Sequence, residues 1–154
     1  MRLAGAVGGV HTRPFAGATG RRLLELAAAR RPAVLLEFAR AALDRATAGN
    51  PGGLHVVDRH WMTVLSLLPP ERWDDWGEIP PTTLCWIDLD ATAQRLSARG
   101  DRVDAQARRE HAFYLERYAA LAERFGCPVL RTDLLSADEA TARLVAWARL
   151  AGAD

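Results

Sequence analysis

The sequence predicts an α/β fold with a parallel sheet covered by helices on both faces. Three observations carry this. Short apolar runs recur at residues 3–11, 54–57, 83–89 and 128–131. Stretches with helical periodicity separate them, and Gly, Pro or capping residues punctuate most of the boundaries.

Residues 3–11 read as a small apolar strand that ends at Thr12-Arg13-Pro14, because Pro cannot continue a ladder. A loop over residues 15–20 leads into a helix over 21–30, with Leu23, Leu24, Leu26 and Ala27 as its stripe. A second helix spans residues 33–47, with Leu35, Phe38, Ala39, Ala42 and Ala46 on one face and Arg40–Asp44 as an i,i+4 pair. After the Gly- and Pro-rich residues 49–53, a buried strand over 54–57 carries Asp58-Arg59-His60 at its carboxyl end. A short helix over 61–68 closes at Pro69-Pro70, and residues 71–81 read as a loop or lid holding Trp73 and Trp76. The strand over 83–89 is followed by Asp90, an N-cap for a helix reaching about Arg99. The longest helical pattern runs over 105–125 and stops at Gly126. A last strand covers 128–131, and Ser136 with Glu139 forms a capping box for a helix over 137–150.

The 154 residues, 49% hydrophobic and 25% charged, fit one domain over residues 1–154. The net charge of +1 is spread along the chain, which argues against nucleic acid as the main partner and leaves room for a small anionic ligand. Every basic residue other than His is Arg, as the chain contains no Lys. Cys85 and Cys127 lie in apolar runs and read as free, buried core thiols, which points to a reducing, cytoplasmic setting. Residues 1–10 are too short and Gly-rich for a signal peptide, and no apolar stretch approaches the length of a membrane span.

Ligands of such sheets bind outside the carboxyl ends of the strands. That rule singles out His11-Thr12-Arg13, Asp58-Arg59-His60, Asp88 with Asp90, and Thr132-Asp133. An adjacent acid and guanidinium, as in Asp58-Arg59, can hold a hydrated Mg2+ and clamp a phosphate respectively. A second group is Arg95, Arg99, Arg102, Arg108 and Arg109, whose planar donors suit phosphate oxygens in a closing lid over residues 99–109.

The order of these pieces resembles the thymidylate kinase family of P-loop nucleotide kinases over nearly the whole chain. Val10-His11-Thr12-Arg13-Pro14 looks like that family's second strand and its Thr-Arg-Glu-Pro loop, without the Glu. Phe38 is placed like the base-stacking Phe, and Val57-Asp58-Arg59-His60 is similar to the Asp-Arg-Tyr/His signature. Trp86 to Asp90 with Arg95 and Arg99-Gly100 looks like the fourth strand and the helix entering the lid. The segment from Cys127 to Glu139 resembles the last strand, adenine-side loop and final helix.

The resemblance implies a three-layer sheet and phosphoryl transfer from ATP, with Mg2+, to a nucleoside monophosphate or similar small phosphorylated acceptor; a homodimer is compatible with it. It assigns Asp58, Arg59 and Arg95 to catalysis, Asp58 also to the metal, Arg13, Phe38, Arg59 and His60 to the acceptor, and Arg99, Arg102 and Arg108 to lid and phosphate. The chain departs from the pattern in two ways. Without Lys it cannot contain Gly-x4-Gly-Lys-Ser/Thr, so the family's first strand, P-loop and first helix are missing; a start further upstream is the first expectation, with the Gly-rich N-terminus moving into the gap or the neighbouring strands closing up as the alternatives. Ala42 stands where the family places a base-recognising Arg. Loss of the first strand, central in that fold, implies unpaired edges on the strands ending at Val57 and Leu89. The alternative is a non-catalytic nucleotide-binding or assembly module that kept the acceptor side. An α/β-hydrolase or a thiol redox enzyme is disfavoured by the lack of Gly-x-Ser-x-Gly and Cys-x-x-Cys.

Overall fold

A computed structural model describes residues 2–152 as a mixed α/β chain, 59% helical, with two short parallel two-stranded sheets. The chain divides into two compact units, Met1–Ile79 with Leu144–Asp154, and Pro80–Arg143.

The first unit opens with α1 (Arg2–Ala6) and β1 (Val10–Thr12). The stretch expected as one strand over residues 3–11 is therefore helix over its first four residues and strand only at Val10 and His11. Ala4 and Ala6 are strong helix formers, the Val7 N–H reaches the Leu3 carbonyl at 3.1 Å, and Gly8 at φ 69° turns the chain into β1. After β1 come α2 (Ala18–Ala28) and α3 (Pro32–Thr47), which pack on each other and bury Leu23 and Leu26 on one and Leu35, Leu36 and Ala39 on the other. These spacings of three and four place each set on one helical face, and Pro32 in the first turn of α3 sits where no N–H is needed. The helix α2 starts three residues before the expected Arg21. Arg40 does not pair with Asp44; it crosses instead to the backbone carbonyls of Asp75 and Trp76.

β2 (His55–Val57) runs parallel to β1, with Val10 opposite His55 and Thr12 opposite Val57. A side-chain tie holds that register. The His55 Nε2 lies 3.0 Å from the Asn50 carbonyl and so carries the proton, which leaves Nδ1 to accept from the buried Thr12 hydroxyl, also at 3.0 Å. Next, α4 (Trp61–Leu65) buries Trp61, Val64 and Leu65 completely. The stretch expected as a loop or lid is a 3-10 helix over Pro70–Trp76 whose two indoles are core, Trp73 at 5% and Trp76 at 8% exposure. The Trp73 Nε1–H donates to the Leu65 carbonyl at 3.0 Å, satisfying the polar end of a buried ring.

The second unit contains β3 (Leu84–Trp86), α5 (Leu89–Ala98), α6 (Ala105–Arg124) and β4 (Val129–Arg131), with β3 parallel to β4. α7 (Ala137–Ala151) begins in this unit, and its residues from Leu144 on are assigned to the first. The N-cap of α5 is Asp88, not Asp90: its Oδ1 accepts from the Ala91 N–H at 2.7 Å, which frees Asp90 to bind Arg108 at 2.7 Å. The capping box opening α7 forms as expected, Ser136 and Glu139 bonding reciprocally, and these bonds hold the Glu139 carboxyl below its ordinary pKa. Cys85 and Cys127 form no disulfide, but Cys85 is exposed and Cys127 only half-buried, where burial pushes its thiol pKa up. The edge position of β3 explains the miss, since a strand paired on one side buries less of its surface than an interior one.

Among the described residues every buried hydrophobic side chain belongs to the first unit except Leu121 and Ala122. No helix of the described residues is long and apolar enough to cross a membrane.

Candidate functional site

The carboxyl ends of β1 and β2 bring together residues 45 positions apart in the sequence. The Asp58 N–H continues the ladder onto the Thr12 carbonyl at 2.8 Å, so Arg13 and Asp58 leave the sheet side by side. The Arg13 Nε lies 3.2 Å from the Asp58 Oδ2, with both side chains about half exposed. Arg59 follows in the left-handed region at φ 67°. For a residue with a Cβ this conformation costs roughly 1 kcal/mol, which Gly would not incur. Among the described residues the Arg59 side chain is exposed and finds no acceptor, so a charged fork is held at a strand end on strained backbone.

His60 turns inward. Its ring meets Trp76 edge-on at 5.8 Å between centroids, and its buried Nδ1 has no hydrogen-bond partner. Burial lowers its pKa from 6.5 to about 4, so the imidazole is neutral at pH 7. Arg40 of α3 lays its guanidinium 5.8 Å from the same Trp76 ring centre while donating to the Asp75 and Trp76 carbonyls at 2.5 and 3.0 Å. Arg40 thus holds Trp76, and Trp76 meets His60. Sequence reasoning missed this relay because Arg40 looked like a surface helix residue; the one available signal was the pair of Trp in a segment otherwise rich in turn formers. Phe38 lies half-buried on α3.

A pH dependence follows from His60. Protonation is favoured in the unfolded chain at 6.5 and in the folded one only near 4, so stability is full above pH 6.5 and falls as pH drops through that window. Thermal melts from pH 7.5 to 4 should show His60→Phe losing less stability than the parent, by up to about 3 kcal/mol at the acid end. Parallel pH curves for the two proteins would contradict the assignment.

The remaining arginines of the sequence reading lie in the second unit, each accounted for locally. Arg95 donates to the Thr132 carbonyl at 2.9 Å, Arg108 binds Asp90, and Arg102 lies 3.6 Å from Asp104. Arg99 caps the end of α5 and is exposed. Residues 101–104 form no regular structure and lead directly into α6. The carboxyl ends of β3 and β4 carry a further polar knot: Thr132 binds the Trp86 carbonyl through both N–H and hydroxyl, at 2.8 and 2.9 Å. Arg131 grips Asp133, a side chain only 2% exposed, and holds its carboxyl well below the usual carboxylate range.

Among the described residues no three His, Cys, Asp or Glu stand together as a metal site, and Asp58 faces the Arg13 guanidinium. The loop after β1 closes on itself, since buried Phe15 sets its carbonyl 2.5 Å from where a Cβ on Gly20 would lie. No Lys exists to neutralise a triphosphate. What the β1–β2 end offers is two guanidinium groups, one paired and one free, beside a neutral imidazole. No protein-family model, curated protein or solved structure matches the chain.

Proposed function

We propose that the chain is a thymidylate-kinase-like domain that holds a nucleoside monophosphate, or a similar small phosphorylated acceptor, at the carboxyl ends of β1 and β2, and that it does not by itself transfer phosphate from ATP. The observation that carries this reading is Arg59: an unpartnered guanidinium on left-handed backbone, beside Arg13 and Asp58, at the end of a parallel strand. Strain of that kind persists where the side chain is needed, because Gly would relieve it. Arg59 supplies the free fork for two phosphate oxygens and Arg13 the second cation. His60, turned inward against Trp76 and neutral, adds no charge to the site. Among the described residues β1 pairs with β2 and β3 with β4, the same two pairs of neighbours that the resemblance implies.

Two measurements test the proposal. Titration calorimetry with thymidine monophosphate, other nucleoside monophosphates and free thymidine should give heat for the phosphorylated compounds and none for the nucleoside. Incubation with ATP, Mg2+ and thymidylate should give no diphosphate above a blank, because no group cradles the transferring phosphoryl. Nucleoside binding as tight as monophosphate binding would overturn the phosphate assignment. Turnover that survives purification and vanishes in Asp58→Asn would overturn the non-catalytic part.

A further inference from the structure

We propose that Asp58 is an internal rival for the Arg13 guanidinium, so that a ligand is captured by exchange, its phosphate replacing the Asp58 carboxylate, and that this exchange selects phosphate over weaker anions. The inference rests on the phosphate-binding reading above and assigns Asp58 a selectivity role within that site.

The geometry supplies each part. The Arg13 Nε and the Asp58 Oδ2 are 3.2 Å apart, close enough to pair. Both side chains are about half exposed, at 57% and 49%, so either can release the other into water at little cost. The Asp58 backbone is tied to the Thr12 carbonyl, which keeps its carboxylate near Arg13 and makes it a rival at high effective concentration. A free monocarboxylate offers the same chemistry as Asp58 without that tether, so it cannot displace it. A phosphate monoester carries nearly two charges and three strong acceptor oxygens. It can engage Arg13 and the unpartnered Arg59 together, which one side-chain carboxylate facing Arg13 does not do.

The test uses inorganic phosphate and acetate as probes, followed by calorimetry and by the arginine Nε–H resonances. In Asp58→Asn, which keeps the shape and the backbone bond, phosphate should bind about three- to tenfold more tightly, the range set by removing one exposed ion pair and its repulsion of the ligand. Acetate, which in the parent can reach only Arg59, should also bind more tightly once Arg13 is released. Asp58→Ser should behave alike. The control is Glu25→Gln, which frees Arg22 from a 2.8 Å surface pair on α2 and should leave phosphate affinity unchanged. Equal or weaker phosphate binding by Asp58→Asn and Asp58→Ser, with the parent still binding, would sink the exchange while sparing the phosphate site. Equal tightening by Glu25→Gln would reduce the effect to net charge and also sink it. If phosphate binds to none of these folded proteins, the site itself is wrong and the exchange falls with it.

Discussion

Arg59→Ala is expected to weaken monophosphate binding by about one to two orders of magnitude. A charge-assisted phosphate contact contributes roughly 1.5–3 kcal/mol, and each 1.4 kcal/mol is tenfold in affinity. Fold stability should hardly change, since Ala meets the same strain at φ 67° that Arg does. Arg59→Gly separates the two contributions. It should lose the same affinity yet gain up to about 1 kcal/mol in unfolding free energy, because Gly takes the left-handed region freely. Opposite signs in binding and stability are hard to obtain from a residue that merely packs. Calorimetry with thymidine monophosphate beside urea denaturation measures both. Unchanged affinity in both variants would remove Arg59 from the site, and a stability loss in Arg59→Gly would remove the strain argument.

The second large effect lies in the core beneath the site. Trp61 follows His60 directly, opens α4 and is 0% exposed. Trp61→Ala should cost about 3–5 kcal/mol, the range for deleting a buried aromatic, against a total stability of order 5–15 kcal/mol for a small protein. Should that variant not fold, Trp61→Phe keeps most of the volume and should lose about 1–3 kcal/mol, read as a shift of the urea midpoint at unchanged slope. A loss below about 0.5 kcal/mol in Trp61→Phe would mean the indole is not packed as described.

The long helices were legible in the sequence because their signals are local and repeated. α3 and α6 end within a residue or two of their expected bounds, since periodicity over four or five turns, Pro at a first turn and Gly after a last one all agree. The strands were legible as places but not as lengths. Each is only three residues long, because a strand extends only as far as its partner does and pairing is invisible in a single segment. The N-terminal residues misled most: a small apolar run carries no period, and Ala chose helix for it. The candidate site was half legible. Asp58, Arg59 and Arg13 were read from strand ends, and the fold does bring Arg13 to Asp58. Their ion pair, the sign of φ at Arg59 and the Arg40–Trp76–His60 contacts depend on tertiary geometry that no spacing encodes.

The uneven distribution of buried side chains reaches beyond the binding site. The unit formed by Pro80–Arg143 has only Leu121 and Ala122 buried among the described hydrophobic residues, although it contains the 20-residue α6 and a hydrogen-bonded pair of strands. Backbone bonds without apolar cover open at low free energy and form the early-exchanging part of a native protein. In deuterated solvent the amides of α5 and of the first turns of α6 should therefore exchange well before those of α3, whose Leu35 and Ala39 are wholly enclosed. A protease added under native conditions should find its first cut there too, so that the molecule's resistance to digestion is set by its thinner half.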